Sequence, residues 1–174
     1  MRNGSMSETP AREDWTAERT TFQRVYDLLV GTREFLRADA FAERADCSET
    51  AAREALEQLA EMGIARRREG RPVTYRRNDS YFEWKRIESL ARDHSPAELR
   101  DRVETLLDRE SEFQERFGAP GPDAVTAADL PDDPERLEAH WDDLREWRTV
   151  RRDVRVLREA VQRAGRLADN GARV

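Results

Sequence analysis

Three short amphipathic helical patterns with a basic hairpin directly behind them, all within residues 20–78, leave this chain few folds to choose from. In the first pattern Phe22, Val25, Tyr26 and Leu29 recur at three- and four-residue spacing, which puts them on one stripe of a helix from Thr20 to Val30. Gly31 follows, a residue suited to closing a helix end. The second pattern predicts a helix over Ala38 to Ala45, with Phe41, Ala42 and Ala45 facing the core. Asp39 sits in its first turn, where a carboxylate meets the positive end of the helix dipole. The third helix starts behind Ser48, a good N-cap. Its inward positions are Ala52, Leu56 and Leu59, and Gly63 ends it.

Only Asp46 and Cys47 separate the second and third helices. A connection that short forces a steep crossing, the geometry of a helix-turn-helix. Ile64 to Arg68 and Val73 to Arg77 then have the composition of two strands that pair across Glu69-Gly70-Arg71-Pro72. Gly70 allows the turn, and Pro72 is tolerated at a strand start. Charge reverses at this hairpin: residues 64–78 carry six Arg against Glu69, a net +5, whereas residues 20–63 carry five Arg against nine acids, a net −4. A cationic finger behind a helix-turn-helix is the layout of a winged helix-turn-helix, and duplex DNA is the dense polyanion it would contact.

For base reading, the N-terminal part of the third helix is the natural contact. That selects Ser48, Glu49, Thr50, Arg53 and Glu54, with Arg53 able to bind guanine and Glu54 able to accept from cytosine. Glu57 and Glu61 on the same outer face would have to sit away from the groove. For the phosphate backbone the candidates are Arg66, Arg67, Arg68, Arg71 and Arg76.

The run LRADAFAERADCSETAAREALEQLAEMGIARRREG, followed by VTYRR, resembles the winged helix-turn-helix regulators of archaea and bacteria, the arsenical-resistance-repressor-like group in the broad sense. Its most specific phrase is SETAAREALEQLAEMGI. The wider layout, with Trp15 before the first helix and a helical C-terminal half, is similar to small haloarchaeal regulators of that kind. The resemblance implies a DNA-binding dimer with the third helix in the major groove and the wing on the adjacent backbone. Two departures stand out. Cys47 is the only cysteine, so metal sensing is not carried over, and Arg37 occupies the place where relatives often have Ser or Thr as N-cap of the second helix.

The remainder reads as support. Residues 1–19 form a polar arm, expected to be largely disordered, in which Trp15 could latch onto the first helix or touch a dimer partner. Tyr81, Phe82, Trp84, Ile87, Leu90 and Ala91 mark an aromatic helix over 80–93, suited to core or dimer packing. Ser95-Pro96-Ala97-Glu98 starts a further helix through a capping box with Pro at its first position, and a seam of Leu99, Val103, Leu106, Phe113 and Phe117, interrupted by Glu110, carries it to Gly118. Residues 119–133 hold three of the seven prolines and read as a loop. Asp133-Pro134 opens a long helix over 134–168 whose apolar seam suits an antiparallel pair with 95–117, a coiled-coil dimer, or both. Its eight Arg between 145 and 166 either pair with acids of neighbouring helices or form a second backbone-binding surface.

Overall charge is −6 and charged residues make up 39%, so no global cationic field exists and DNA affinity would have to come from local patches. Thirty of the 31 basic residues are Arg, which fits a halophile. No signal peptide or long apolar run is evident, and a cytoplasmic protein is expected. His94 and His140 have no nucleophile pattern near them, phosphate loops and metal-ligand motifs are missing, and no enzyme, cofactor or metal is expected.

The sequence therefore predicts a mainly α chain: an arm (1–19), a winged helix-turn-helix domain of three helices plus a β-hairpin wing (20–78), and a helical dimerisation region (79–174). The expected function is that of a homodimeric, sequence-specific transcription regulator on double-stranded DNA. The alternatives are a protein-interaction winged helix without a specific DNA site and a regulator with an effector pocket in its C-terminal helices.

Overall fold

Apolar stripes at helical spacing need partners, and the N-terminal helices supply them to one another. A computed structural model describes residues 18–126, 129–131 and 133–171; the expectations for Trp15 and for the arm up to residue 17 lie outside the described residues. Of the described residues 74% are helical, and a small three-stranded antiparallel sheet accompanies them. It divides into two compact units between Phe82 and Glu83.

In the first unit α1 (Thr21–Gly31) begins at Thr20, whose side chain accepts from the Gln23 amide while the Gln23 side chain accepts from the Thr20 amide. This reciprocal pair satisfies two of the donors a helix start leaves open. Gly31 does not cap the helix: the chain leaves at Thr32 in extended conformation. The buried Thr32 hydroxyl donates to the Leu28 carbonyl at 2.7 Å, so a side chain does what a left-handed glycine was expected to do.

α2 (Ala38–Ala45) has the predicted bounds, and Arg37 at its N-cap makes no capping bond. Asp39 instead accepts from the Ala40 amide at 2.7 Å and pairs with Arg37 at 2.8 Å. Asp46, in left-handed conformation, turns the chain toward α3 (Glu49–Glu61). Ser48 caps α3 by accepting from the Ala51 amide. Val25, Leu29, Phe41, Ala45, Ala52, Leu56 and Leu59 form the cluster at the centre of these helices, each at most 1% exposed.

The sheet differs from expectation in two ways. The hairpin strands β2 (Ala65–Arg68) and β3 (Thr74–Arg77) are shorter than predicted, and Pro72 lies in the turn rather than at a strand start. A third strand, β1 (Leu36–Arg37), pairs antiparallel with the free edge of β3, giving the order β1-β3-β2. Two residues carry no detectable alternation, so only the tertiary pairing reveals this strand.

α4 (Asp79–Asp93) straddles the unit boundary, which falls four residues beyond the expected 78/79 division. Tyr81 and Phe82 pack on the first cluster, and Ile87, Leu90 and Ala91 on a second. In the second unit α5 (Pro96–Phe117) begins at the expected Ser95–Glu98 capping box and ends at a left-handed Gly118. α6 (Pro134–Gly171) runs three residues past its predicted end. Leu99 meets Leu157, Ala160 and Ala164 at one end of the pair, and Phe113 meets Leu144 and Trp147 at the other, so α5 and α6 are antiparallel. The intervening segment is not wholly irregular: Pro122–Ala124 forms one turn of 3₁₀ helix.

Candidate nucleic-acid interface

Ser48, Glu49, Thr50, Arg53 and Glu54 are all exposed at the start of α3. They lie opposite Ala52, Leu56 and Leu59, which are fully buried. Burial of one stripe therefore decides which residues remain available to a partner. Arg53 is engaged in an i,i+4 ion pair with Glu49. Exposed pairs of this kind contribute only about 0.3–0.5 kcal/mol, so exchanging Glu49 for another anion costs Arg53 little. Glu57 and Gln58 extend the exposed face, which beyond Arg53 is acidic. A cleft of about 310 Å³ lies between α3, β1 and the hairpin; Arg37, Asp39, Glu49, Arg53 and Glu57 bring charge to it, and Tyr75 and Val73 supply apolar wall.

The hairpin arginines, a single block in the sequence, separate once the register is known. Arg66 faces Arg76, Arg67 faces Tyr75, and Arg68 faces Thr74. Successive side chains on a strand point to opposite faces. Tyr75 is buried in the core, which puts Arg67 on the core side and Arg66, Arg68, Thr74 and Arg76 on the outer side. Arg67 forms an ion pair with Glu69. Arg66 donates to the Asn78 side chain at 3.2 Å, and Asn78 in turn donates to the Gly63 carbonyl at 2.7 Å. Arg68 and Arg76 both lie over the Phe35 ring, their guanidinium carbons 3.7 and 4.9 Å from its centroid. Among the described residues, Arg66, Arg68, Arg71 and Arg76 have no carboxylate partner.

Arg77 plays a different role. It donates to the Val30 carbonyl at 2.7 Å, pairs with Asp79 at 2.9 Å and lies over the Phe82 ring. Cys47, in the turn between α2 and α3, is half-buried; burial pushes its thiol up, opposed by Arg24 and reinforced by Asp46. No group of His, Cys, Asp and Glu fit to hold a metal occurs among the described residues.

The arginines of α6 contrast with those of the hairpin. Arg145, Arg148, Arg151, Arg152, Arg155 and Arg163 each have a carboxylate within ion-pair distance. Arg155 is held by Glu83 through two bonds of 2.7 and 2.9 Å. These positive charges are largely neutralised within the unit.

Sequence reasoning selected the hairpin arginines but missed Phe35 and Asn78. Phe35 could have been noticed as an aromatic residue standing alone between two helical patterns; its pairing with Arg68 and Arg76 depends on strand register.

No described helix is long and apolar enough to cross a membrane. The profile of a protein family of unknown function, DUF7342, matches residues 19–163. No curated protein and no solved structure matches the chain.

Proposed function

We propose that this chain, which belongs to the family of unknown function DUF7342, is a sequence-specific DNA-binding transcription regulator of winged helix-turn-helix type that acts as a homodimer. In this reading the start of α3 enters the major groove, with Ser48, Glu49, Thr50, Arg53 and Glu54 at the base edges. The β2–β3 hairpin is the wing and lies along the phosphate backbone. The observation that carries the reading is the state of the hairpin arginines. Four of them lack a carboxylate partner among the described residues, in a protein where six arginines of α6 have found one. Cations left uncommitted on one short ribbon suit a polyanion from outside.

The acidic outer part of α3 supports a second reading, a winged-helix module that docks a basic protein partner. Fluorescence anisotropy with labelled genomic duplexes over a range of salt separates the two. DNA binding should weaken linearly with salt on logarithmic axes, by about 0.9 per phosphate neutralised. The combined Arg66→Ala, Arg67→Ala and Arg68→Ala variant should bind all sequences more weakly and with a shallower slope. Absence of any shift at every salt the fold tolerates would favour the protein-docking reading.

A further inference from the structure

The wing arginines are not equivalent, and the difference rests on one aromatic ring. Phe35 stands directly before β1. It carries two guanidinium groups, Arg68 at 3.7 Å and Arg76 at 4.9 Å from its centroid. The two arginines come from adjacent strands and sit diagonally on the same outer face, because Arg68 is opposite Thr74 and Arg76 is opposite Arg66. Two like charges brought this close repel unless something compensates. The negative face of an aromatic ring supplies part of that compensation, and a bound anion would supply the rest. The backbone adds a further restraint, since Arg76 reaches the Arg33 carbonyl at 3.5 Å.

A guanidinium held over a ring can still turn N–H donors toward phosphate oxygens; Arg68 keeps the fuller set, since Arg76 directs one N–H to the Arg33 carbonyl and its Nε–H is buried. Neither arginine has a carboxylate partner among the described residues. Arg67, the residue before Arg68, is on the opposite face and paired with Glu69.

We propose that Arg68 and Arg76, held on the Phe35 ring, form one preorganised phosphodiester-binding pair, with Phe35 as its positioning residue. The proposal rests on the DNA-binding reading and goes beyond it by dividing the wing unequally. Arg68 and Arg76 carry the backbone contact, whereas Arg67 is a self-neutralised neighbour. Removing the ring should then weaken binding without removing any charge.

The test uses the full chain and a labelled duplex of about thirty base pairs, with affinity measured over a salt series. Phe35→Leu should bind roughly tenfold more weakly, the size expected when two long side chains must be ordered at binding instead of beforehand. Its salt slope should stay close to wild type. Phe35→Trp, which restores an aromatic face, should recover most of the affinity. The double variant Arg68→Ala and Arg76→Ala should reduce the slope by about 1.8, and Arg67→Ala by much less. Phe35 is outside the buried cluster, so thermal melting should barely change in Phe35→Leu. Equal binding by Phe35→Leu and wild type, failure of Phe35→Trp to recover, or a slope that falls as much in Arg67→Ala as in the double variant would overturn the pair while leaving DNA binding intact. An unmutated chain with no salt-dependent DNA affinity would overturn both, and is recognised because the defect precedes any substitution.

Discussion

Trp147 shows how much one side chain can organise. It is fully buried and stacked against Phe113 at 5.8 Å and Phe117 at 5.6 Å, centroid to centroid. Its indole N–H has no hydrogen-bond partner among the described residues. The ring therefore acts through volume and stacking alone. Trp147→Ala should cost about 3–5 kcal/mol of stability in urea unfolding, the usual range for emptying a large aromatic site. Trp147→Phe should cost much less, because no hydrogen bond is lost with the nitrogen. A comparable loss for both would mean that the N–H has a partner in solution. At the same scale, Thr32, Phe35 and Asn78 each do a job assigned by tertiary contact rather than by residue type.

Among the elements, α5 and α6 are tied by their charges as well as their seam. Glu110 interrupts the apolar seam of α5 and has a side chain only 16% exposed, but Arg151 of α6 meets it at 3.2 Å. Arg151→Ala strands a carboxylate in a poorly hydrated place. It should destabilise the unit by about 1–3 kcal/mol, whereas Glu110→Met should be near neutral, because the Arg151 side chain, 47% exposed, then takes its charge to solvent. Equal losses in the two variants would place the stabilisation in the pair itself. Between α4 and α6, Arg155 hydrogen-bonds Glu83 and holds its carboxyl below the ordinary value of 4.5; charge attraction from the same arginine adds to this against partial burial. A carboxyl with a folded pKa below its unfolded one stabilises the fold above the unfolded value, and that contribution is lost as pH falls through the folded value. Glu98 is also held down, first by the Ser95 amide and then by the Ser95 hydroxyl. The stability difference between wild type and Glu83→Gln should thus be present near neutrality and vanish in acid. A difference that stays constant from pH 7 to pH 3 would show that the pair does not act through ionisation.

For the whole molecule, the seam of α6 is already used within the chain. Leu157, a natural candidate for a coiled-coil contact from sequence, is 7% exposed and packs with Ala91 and Leu99. Leu157→Asp should therefore unfold the second unit instead of simply releasing monomers. The proposed homodimer has to employ exposed apolar surface, and among the described residues Trp84 and Trp141, 56% and 44% exposed, are the largest side chains that offer it. Sedimentation equilibrium at tens of micromolar should give a dimer, and Trp84→Ser together with Trp141→Ser should weaken it. A wild-type monomer at that concentration would remove the dimer from the proposed mechanism.

Local chemistry determined most of the elements. The Thr20, Ser48 and Ser95 caps, the two-residue connection before α3, the stripe of α1 and the seam of α6 are all written in nearest-neighbour patterns, because a helix makes its hydrogen bonds and chooses its buried face within a few residues. The charge reversal at the hairpin was legible for the same reason: it needs only composition. What tertiary structure alone decided was everything set by pairing distant segments. Strand register sorted five of the six hairpin arginines into two faces, brought β1 to the free edge of β3, and delivered Phe35 to Arg68 and Arg76. Antiparallel packing matched Arg151 to Glu110 and closed the α6 seam on α5. A shift of one residue in register would exchange every side chain between faces, and one-dimensional periodicity cannot express which register the packed core selects.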